Sequence, residues 1–406
     1  MLTRNYVQDQ SVKDIQEHSN LILKWATGIG KTLAFIKMQE ALLPKKVYIV
    51  VAETNHINNW KEDYKKHKKE HLLENVEIFC YHSLHKRVNT EVDLICLDEG
   101  HHVLTDKRMA SLLEIKRNKL VLLSATITSE QITTLEYFLL SKFKTQTITL
   151  KQAINNNILP KPMVYIVPLD ISKTELTSFK FKRGIATKRI SIDCKYSELK
   201  SYVFNKDKYP NVDITVECTH YEKEDYLSNQ IDYYKHQYFF KRQEFLKVKW
   251  LLLGSERKRF MAEAKTKVIK DFLPKILNKR FICFTGSIEQ ANDLSNNTNV
   301  IHSMISEVPS IISAFNNGDI NHLFVVDMLR EGQNLNNIEV GIVLQLDGNI
   351  GPFIQKMGRV LRAENPIIFV FYYKDTRDEE YYKKILEVVD PKHIEIVKDL
   401  NQLLIN

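Results

Sequence analysis

The apolar run Leu21-Ile22-Leu23 and the stretch KWATGIGKTLAF (24–35) that follows constrain this chain more than any other part of it. The run turns through two glycines into Gly-Lys-Thr. It then enters LAFIKMQEALL, whose apolar residues recur at helical spacing until Pro44 stops them. Strand, glycine turn and helix in that order predict a βα unit. Its turn gathers backbone N–H groups at the positive end of a helix, which is where a phosphate binds. Gly28 and Gly30 stand where a side chain would hold the backbone away from the oxygens, and Thr27 and Ile29 complete the loop. Lys31 is placed to reach the β and γ phosphates of a nucleotide, and Thr32 to put its hydroxyl on magnesium. A strict G-x-x-x-x-G-K-[ST] pattern misses the stretch, because Trp25 stands in the place of the first glycine. That glycine makes none of the contacts just named.

Short apolar runs separated by helical patterns continue through the first 150 residues: VYIVV (47–51), VEIFC (76–80), DLICL (93–97), LVLL (120–123) and TITL (147–150). A second set follows at FICFT (281–285), HLFVV (322–326), VGIVLQL (340–346) and IIFVFYY (367–373). Near-continuous apolar strands alternating with helices predict parallel sheets covered on both faces. The fold class is therefore α/β, two doubly wound parallel-sheet domains in tandem. Residues 1–150 form the first, 151–169 a linker, 170–265 an insert and 266–406 the second domain. The insert, between the two domains or on the second, reads as strand-like to about Cys218 and helical thereafter.

Composition supports a globular reading, with 44% hydrophobic and 27% charged residues. No apolar run is long enough to span a bilayer, and MLTRNYVQDQSVKD is too polar for a signal peptide, so a soluble intracellular protein with no membrane partner is expected. The five cysteines are scattered and never paired as C-x-x-C, which predicts reduced thiols. The net charge of +8, from 58 basic and 50 acidic residues, is compatible with a polyanionic partner.

LICLDEGHH (94–102) is the second anchor. A strand that delivers Asp98 and Glu99 to its C-terminal end puts both carboxylates at the sheet edge where the phosphate loop opens. Asp98 is placed to hold magnesium, largely through water, and Glu99 to orient and deprotonate an attacking water.

Further segments then fall in a recognisable order, and the chain resembles the superfamily 2 helicases and translocases in their DEAH-like branch. LSAT (123–126) resembles the motif that couples hydrolysis to domain movement. VVAETNHINNW (50–60) and YHSL (81–84) resemble segments that grip the nucleic-acid backbone. FICFTGSIEQANDL (281–294) resembles the opening of a second motor domain, DMLREGQNL (327–335) its fifth motif and FIQKMGRVLR (353–362) its sixth. The resemblance fails only over 170–265. It implies RecA-like domains, an ATP hydrolase using ATP and Mg2+, and a nucleic-acid partner, DNA in preference to RNA. It further implies arginine fingers at Arg359 and Arg362, with Gln355 in the same shell, and nucleotide contacts from Gly332 and Asn334. The two arginines, three residues apart, are predicted on one face of a helix.

Three departures from the family pattern stand out. Asn334 replaces a common acid, keeping a hydrogen bond but no charge. Gly100 replaces a usual Ala, read as a small change that leaves the carboxylates placed. In RNYVQDQSV the aromatic-to-Gln spacing is one residue long, so Gln8 is chosen for the adenine contact, with Gln10 or neither as alternatives. His101 by resemblance links the nucleotide site to Ser124-Ala125-Thr126. In the insert, the amphipathic helical half reads as a brace on the second domain. The sharper reading is an arm whose Arg257, Lys258 and Arg259 line the nucleic-acid path beside Tyr and Phe rings.

Overall fold

A computed structural model describes residues 2–326, 335 and 337–400. The segment 327–334, with Gly332 and Asn334, lies outside them. Strands β1 (Asn20–Trp25), β2 (Val47–Val51), β3 (Val76–Cys80), β4 (Glu91–Asp98), β5 (Lys116–Ser124) and β6 (Lys144–Ile148) form one sheet in the order β3-β2-β4-β5-β1-β6. Every pairing in it is parallel. β2 is buried at all five positions and β1 at four of its six, as the unbroken apolar runs require. The run TITL is a strand only to Ile148. Thr149 instead caps the next helix, Leu150–Asn155, by exchanging hydrogen bonds with Gln152 in a capping box.

The linker assignment is corrected at Met163–Leu169. This segment is β7, and it pairs with the strand Ile367–Tyr373 and with Ile394–Ile396. Its signal is weak because Pro168 interrupts the run and no helical pattern follows directly. With β8 (Leu176–Arg183), β9 (Ile190–Lys195), β10 (Val212–Thr219), β11 (Phe281–Thr285), β12 (Val300–Ile301), β13 (His322–Val326), β14 (Val340–Val343), β15 (Ile367–Tyr373) and β16 (Ile394–Ile396), the strand set is complete for the described residues. The second sheet runs β12-β13-β11-β14-β15-β7-β16, again all parallel. The chain thus enters its second domain with β7, leaves it for the insert and returns.

The insert begins with a three-stranded sheet, β8-β10-β9, covered by the helix Tyr196–Phe204. A helical hairpin follows, His220–Lys241 and Glu244–Glu263, turning at Arg242 with φ +53°. It docks on the second domain through Leu227, Phe260 and Met261, packed with Tyr373 at the end of β15. Of the three basic residues expected along a nucleic-acid path, only Arg259 is exposed. Arg257 is 3% exposed, lies 3.6 Å from Glu224 and donates to the Tyr381 hydroxyl at 2.8 Å. Lys258 pairs with Asp347. These two side chains fasten the hairpin to the second domain, which is the brace reading. All five cysteines are buried and unbridged. Among the described residues no helix is long and apolar enough to cross a membrane.

Candidate active site

The phosphate loop leaves the C-terminal end of β1 and enters the helix Lys31–Leu42. Gly28 has φ +92° and Gly30 φ +98°, the left-handed region in which a side chain is strained. Space is lacking as well, since a Cβ on Gly30 would come within 2.7 Å of Gln8 Nε2. Gly30 caps the helix with no side-chain hydrogen bond, which leaves the positive end of the helix to a ligand. The Trp25 ring is fully buried in the core, while its carbonyl accepts from Lys31 Nζ at 3.0 Å. The missing glycine is therefore tolerated because this position supplies the loop with a carbonyl and sends its side chain away.

β4 carries Asp98 to the sheet edge beside the loop. Oδ1 of Asp98 accepts from the Glu99 N–H at 3.1 Å, and Oδ2 accepts from Trp60 Nε1 at 2.8 Å. Glu99 follows with φ +46° and ψ +55°, a conformation that costs a residue with a side chain about 1–3 kcal/mol. Gly100 is no neutral replacement for Ala. A Cβ there would meet Leu122 Cγ at 2.1 Å, so Leu122 of β5 fills the room a methyl needs. His101 Nδ1 lies 3.7 Å from Glu99 Oε2 and 3.3 Å from Ser124 Oγ, which accepts from the N–H groups of Thr126 and Ile127. His101 thus stands between Glu99 and the Ser124-Ala125-Thr126 segment.

The second domain meets this edge with the helix Gly351–Val360. A Cβ on Gly358 would fall 2.4 Å from Thr27 Cβ, so a glycine is what lets this helix press against the phosphate loop. The helix ends at Val360, earlier than the arginine spacing predicts. Leu361 is its cap, and the Arg362 N–H turns back to the Val360 carbonyl at 2.7 Å, four residues before Pro366. Arg359 lies in the last helical turn and Arg362 on the turn beyond, not on one helical face.

Between the domains opens a cleft of about 1020 Å³. Thr27, Gly28, Gly30, Lys31 and Thr32 line it from the loop, Asp98 and Glu99 from the strand end, and Arg359 and Arg362 from the second domain. Ile29 lies buried beneath the loop, and its carbonyl accepts from Gln8 Nε2 at 3.4 Å. Gln355 is not in the cleft wall. Gln8 lines it, whereas Gln10 faces away and bonds Asp14 at 3.3 Å.

One wall was missed by the sequence reading. The helix Thr54–Lys66 contributes His56, Asn59, Trp60, Asp63 and Lys66 to the cleft. Burial pushes the Asp63 carboxyl up, against the pull of Lys66, His67 and Arg362. The signal was present in NNWKEDYKK, where Asn59, Asp63 and Lys66 recur at helical spacing. Similarly Tyr81, in a segment resembling a nucleic-acid contact, is buried and its hydroxyl donates to the Asp98 carbonyl at 2.9 Å.

The chemistry of the walls fits a magnesium nucleotide. Gln8 Oε1 and His56 Nε2 are buried in the cleft residues and have no hydrogen-bond partner among the described residues. A buried polar atom left unpaired costs about 1–3 kcal/mol, so such atoms mark where a polar ligand fits. One hydroxyl (Thr32) and one carboxylate (Asp98) are oxygen donors that would suit a magnesium ion shared with phosphates and water, while the cationic Lys31 suits the phosphates themselves.

Residues 2–129 match the family described as type III restriction enzyme, res subunit, and residues 264–364 match the helicase conserved C-terminal domain. The two matches support placing the chain with the superfamily 2 helicases. S. cerevisiae Dbp5 bound to RNA and ADP BeF3 is 11% identical to this chain, with a TM-score of 0.58 over 96% of this chain and 89% of that one. The ATP-dependent type ISP restriction-modification enzyme LlaBIII bound to DNA is 12% identical, with a TM-score of 0.55 over 98% of this chain and 31% of that one. The Pyrococcus furiosus Hef helicase domain is 14% identical, with a TM-score of 0.48 over 94% and 97%. At such identities the likeness to Dbp5 and LlaBIII shows the fold, two RecA-like domains in tandem. No curated protein matches the sequence.

Proposed function

We propose that this helicase-family chain is an ATP-driven DNA helicase or translocase that hydrolyses ATP in the interdomain cleft. The observation that carries the reading is the meeting of Lys31, Thr32, Asp98 and Glu99 with Arg359 and Arg362 on one cleft. The loop N–H groups and Lys31 hold the β and γ phosphates, with Gln8 against the adenine. Magnesium, on Thr32 and Asp98, supplies charge neutralisation of the phosphates. Glu99 takes the proton of the attacking water, and Arg359 and Arg362 place positive charge on the transferring phosphoryl group. Because the arginines belong to the other domain, hydrolysis is completed only when the cleft is shut, and the cycle opens and closes a clamp on the strand.

The match to a restriction-enzyme subunit and the likeness to LlaBIII, whose structure is bound to DNA, favour DNA by analogy. The likeness to Dbp5, bound to RNA, is the specific reason to keep an RNA helicase as the second reading. ATP hydrolysis measured side by side with no nucleic acid, single-stranded DNA, duplex DNA and RNA tests both, with strand displacement on each duplex. Stimulation by DNA above RNA is expected. Stimulation by RNA alone selects the second reading, and stimulation without any displacement makes the chain a translocase or a remodelling ATPase.

A further inference from the structure

We infer that Trp60 is a positioning residue for the magnesium-binding carboxylate, one indole N–H tying the helix Thr54–Lys66 to Asp98. The inference rests on the proposed ATPase reading of this cleft and goes beyond it. Trp60 is 2% exposed and lines the cleft, and its Nε1 donates to Asp98 Oδ2 at 2.8 Å. A donor to a carboxylate stabilises the anion and fixes the plane of its oxygens. Oδ1 accepts from the Glu99 N–H at 3.1 Å, so each carboxylate oxygen is oriented by a donor, the indole holding Oδ2.

The ring is itself locked. It meets Phe35 edge to face at 5.7 Å and Tyr64 at 6.3 Å, and the Tyr64 hydroxyl bonds Gln39. Phe35 and Gln39 lie on the helix Lys31–Leu42, the one that opens with Lys31 and Thr32. The two ends of the metal site, Thr32 and Asp98, are therefore braced against each other through a single aromatic cluster. Trp60 also ends the segment 50–60, so a shift of that segment is transmitted to Asp98 through one hydrogen bond.

Two substitutions remove the N–H: Trp60→Phe, which leaves a smaller aromatic ring, and β-(3-benzothienyl)alanine incorporated at position 60, which has the shape of tryptophan with sulfur in place of N–H. Binding of a fluorescent ATP analogue is titrated with Mg2+, a readout independent of turnover, and thermal unfolding is followed in parallel. Both variants are expected to raise the half-saturating Mg2+ by roughly 10–100-fold, the usual effect of removing a partner of a metal ligand. Nucleotide binding without Mg2+ and the melting temperature of the benzothienyl variant should stay near wild type. Should the Phe variant unfold, the benzothienyl variant alone decides. A wild-type Mg2+ requirement in that variant overturns the inference and makes Trp60 a packing residue only. Absence of any Mg2+-dependent nucleotide binding by the wild type removes the proposed function, and this inference with it.

Discussion

The turn after β1 in the first parallel sheet and the turn after β11 in the second solve the same geometric problem in opposite ways. After β1 the chain passes Gly28 and Gly30 into a helix whose cap has no side-chain hydrogen bond. After β11 it passes Gly286 into the helix Ile288–Ser295, where Ser287 accepts from the Gln290 N–H at 3.1 Å and Gln290 Oε1 accepts from the Gly286 N–H at 2.8 Å. The second turn satisfies the Gln290 donor of its helix and the Gly286 N–H ahead of it with its own side chains, whereas the cap of the first helix offers no side chain and suits a ligand. A βα turn of this kind is thus a phosphate site by virtue of what it omits. Both turns hold a glycine, but for different reasons. Gly30 needs its positive φ, whereas Gly286 needs room, a Cβ there falling 2.4 Å from Ala262 Cβ.

The largest expected effect breaks the open turn outright. Lys31→Ala should leave no measurable ATP turnover in a folded protein, checked by phosphate release beside circular dichroism. Arg362→Ala tests whether the turn needs the other domain. Turnover in the presence of nucleic acid should fall by about 10³–10⁵-fold while nucleotide binding persists. Arg257→Ala addresses the insert that rides on the capped domain. Removing a buried cation from Glu224 and Tyr381 should lower unfolding stability by about 3–5 kcal/mol, read by denaturant titration. The salt dependence of nucleic-acid affinity should be unchanged, because Arg257 faces protein. The smallest effect sharpens the contrast itself. Gly286→Ala should cost about 1–3 kcal/mol of stability through overpacking and leave nucleotide affinity alone. Gly30→Ala should instead weaken nucleotide binding by about tenfold or more through strain at φ +98°.

Much of this architecture was legible in the chain. Where a strand is buried at every position, as in VYIVV or FICFT, the near-continuous apolar run identifies it and the structure keeps its bounds. The phosphate loop was readable despite Trp25 because its chemistry is local: a φ sign, a lysine, a hydroxyl. Three things escaped. β7 carries a proline and gains its meaning from β15, some two hundred positions later in the chain, which no local pattern reports. The end of the helix before Arg362 was hidden because i, i+3 spacing is the same whether or not the last turn continues. The cleft wall from Thr54–Lys66 was missed because a segment resembling a nucleic-acid contact was read for that role alone, when one helix presents several faces. The same limit applies to Arg257, whose charge pointed to a polyanion and whose neighbours in space are a carboxylate and a phenol.

The placement of β7 has a bearing on how the chain is made. Its neighbours β15 and β16 come last in chain order among the described strands, so the strand must wait, exposed, while the insert and nearly all of the second domain are synthesised. Closing so long a loop is slow, whereas the first sheet draws all its strands from one continuous stretch and has nothing to wait for. The nascent chain therefore acquires a folded nucleotide-binding half well before it acquires the arginines that complete the cleft.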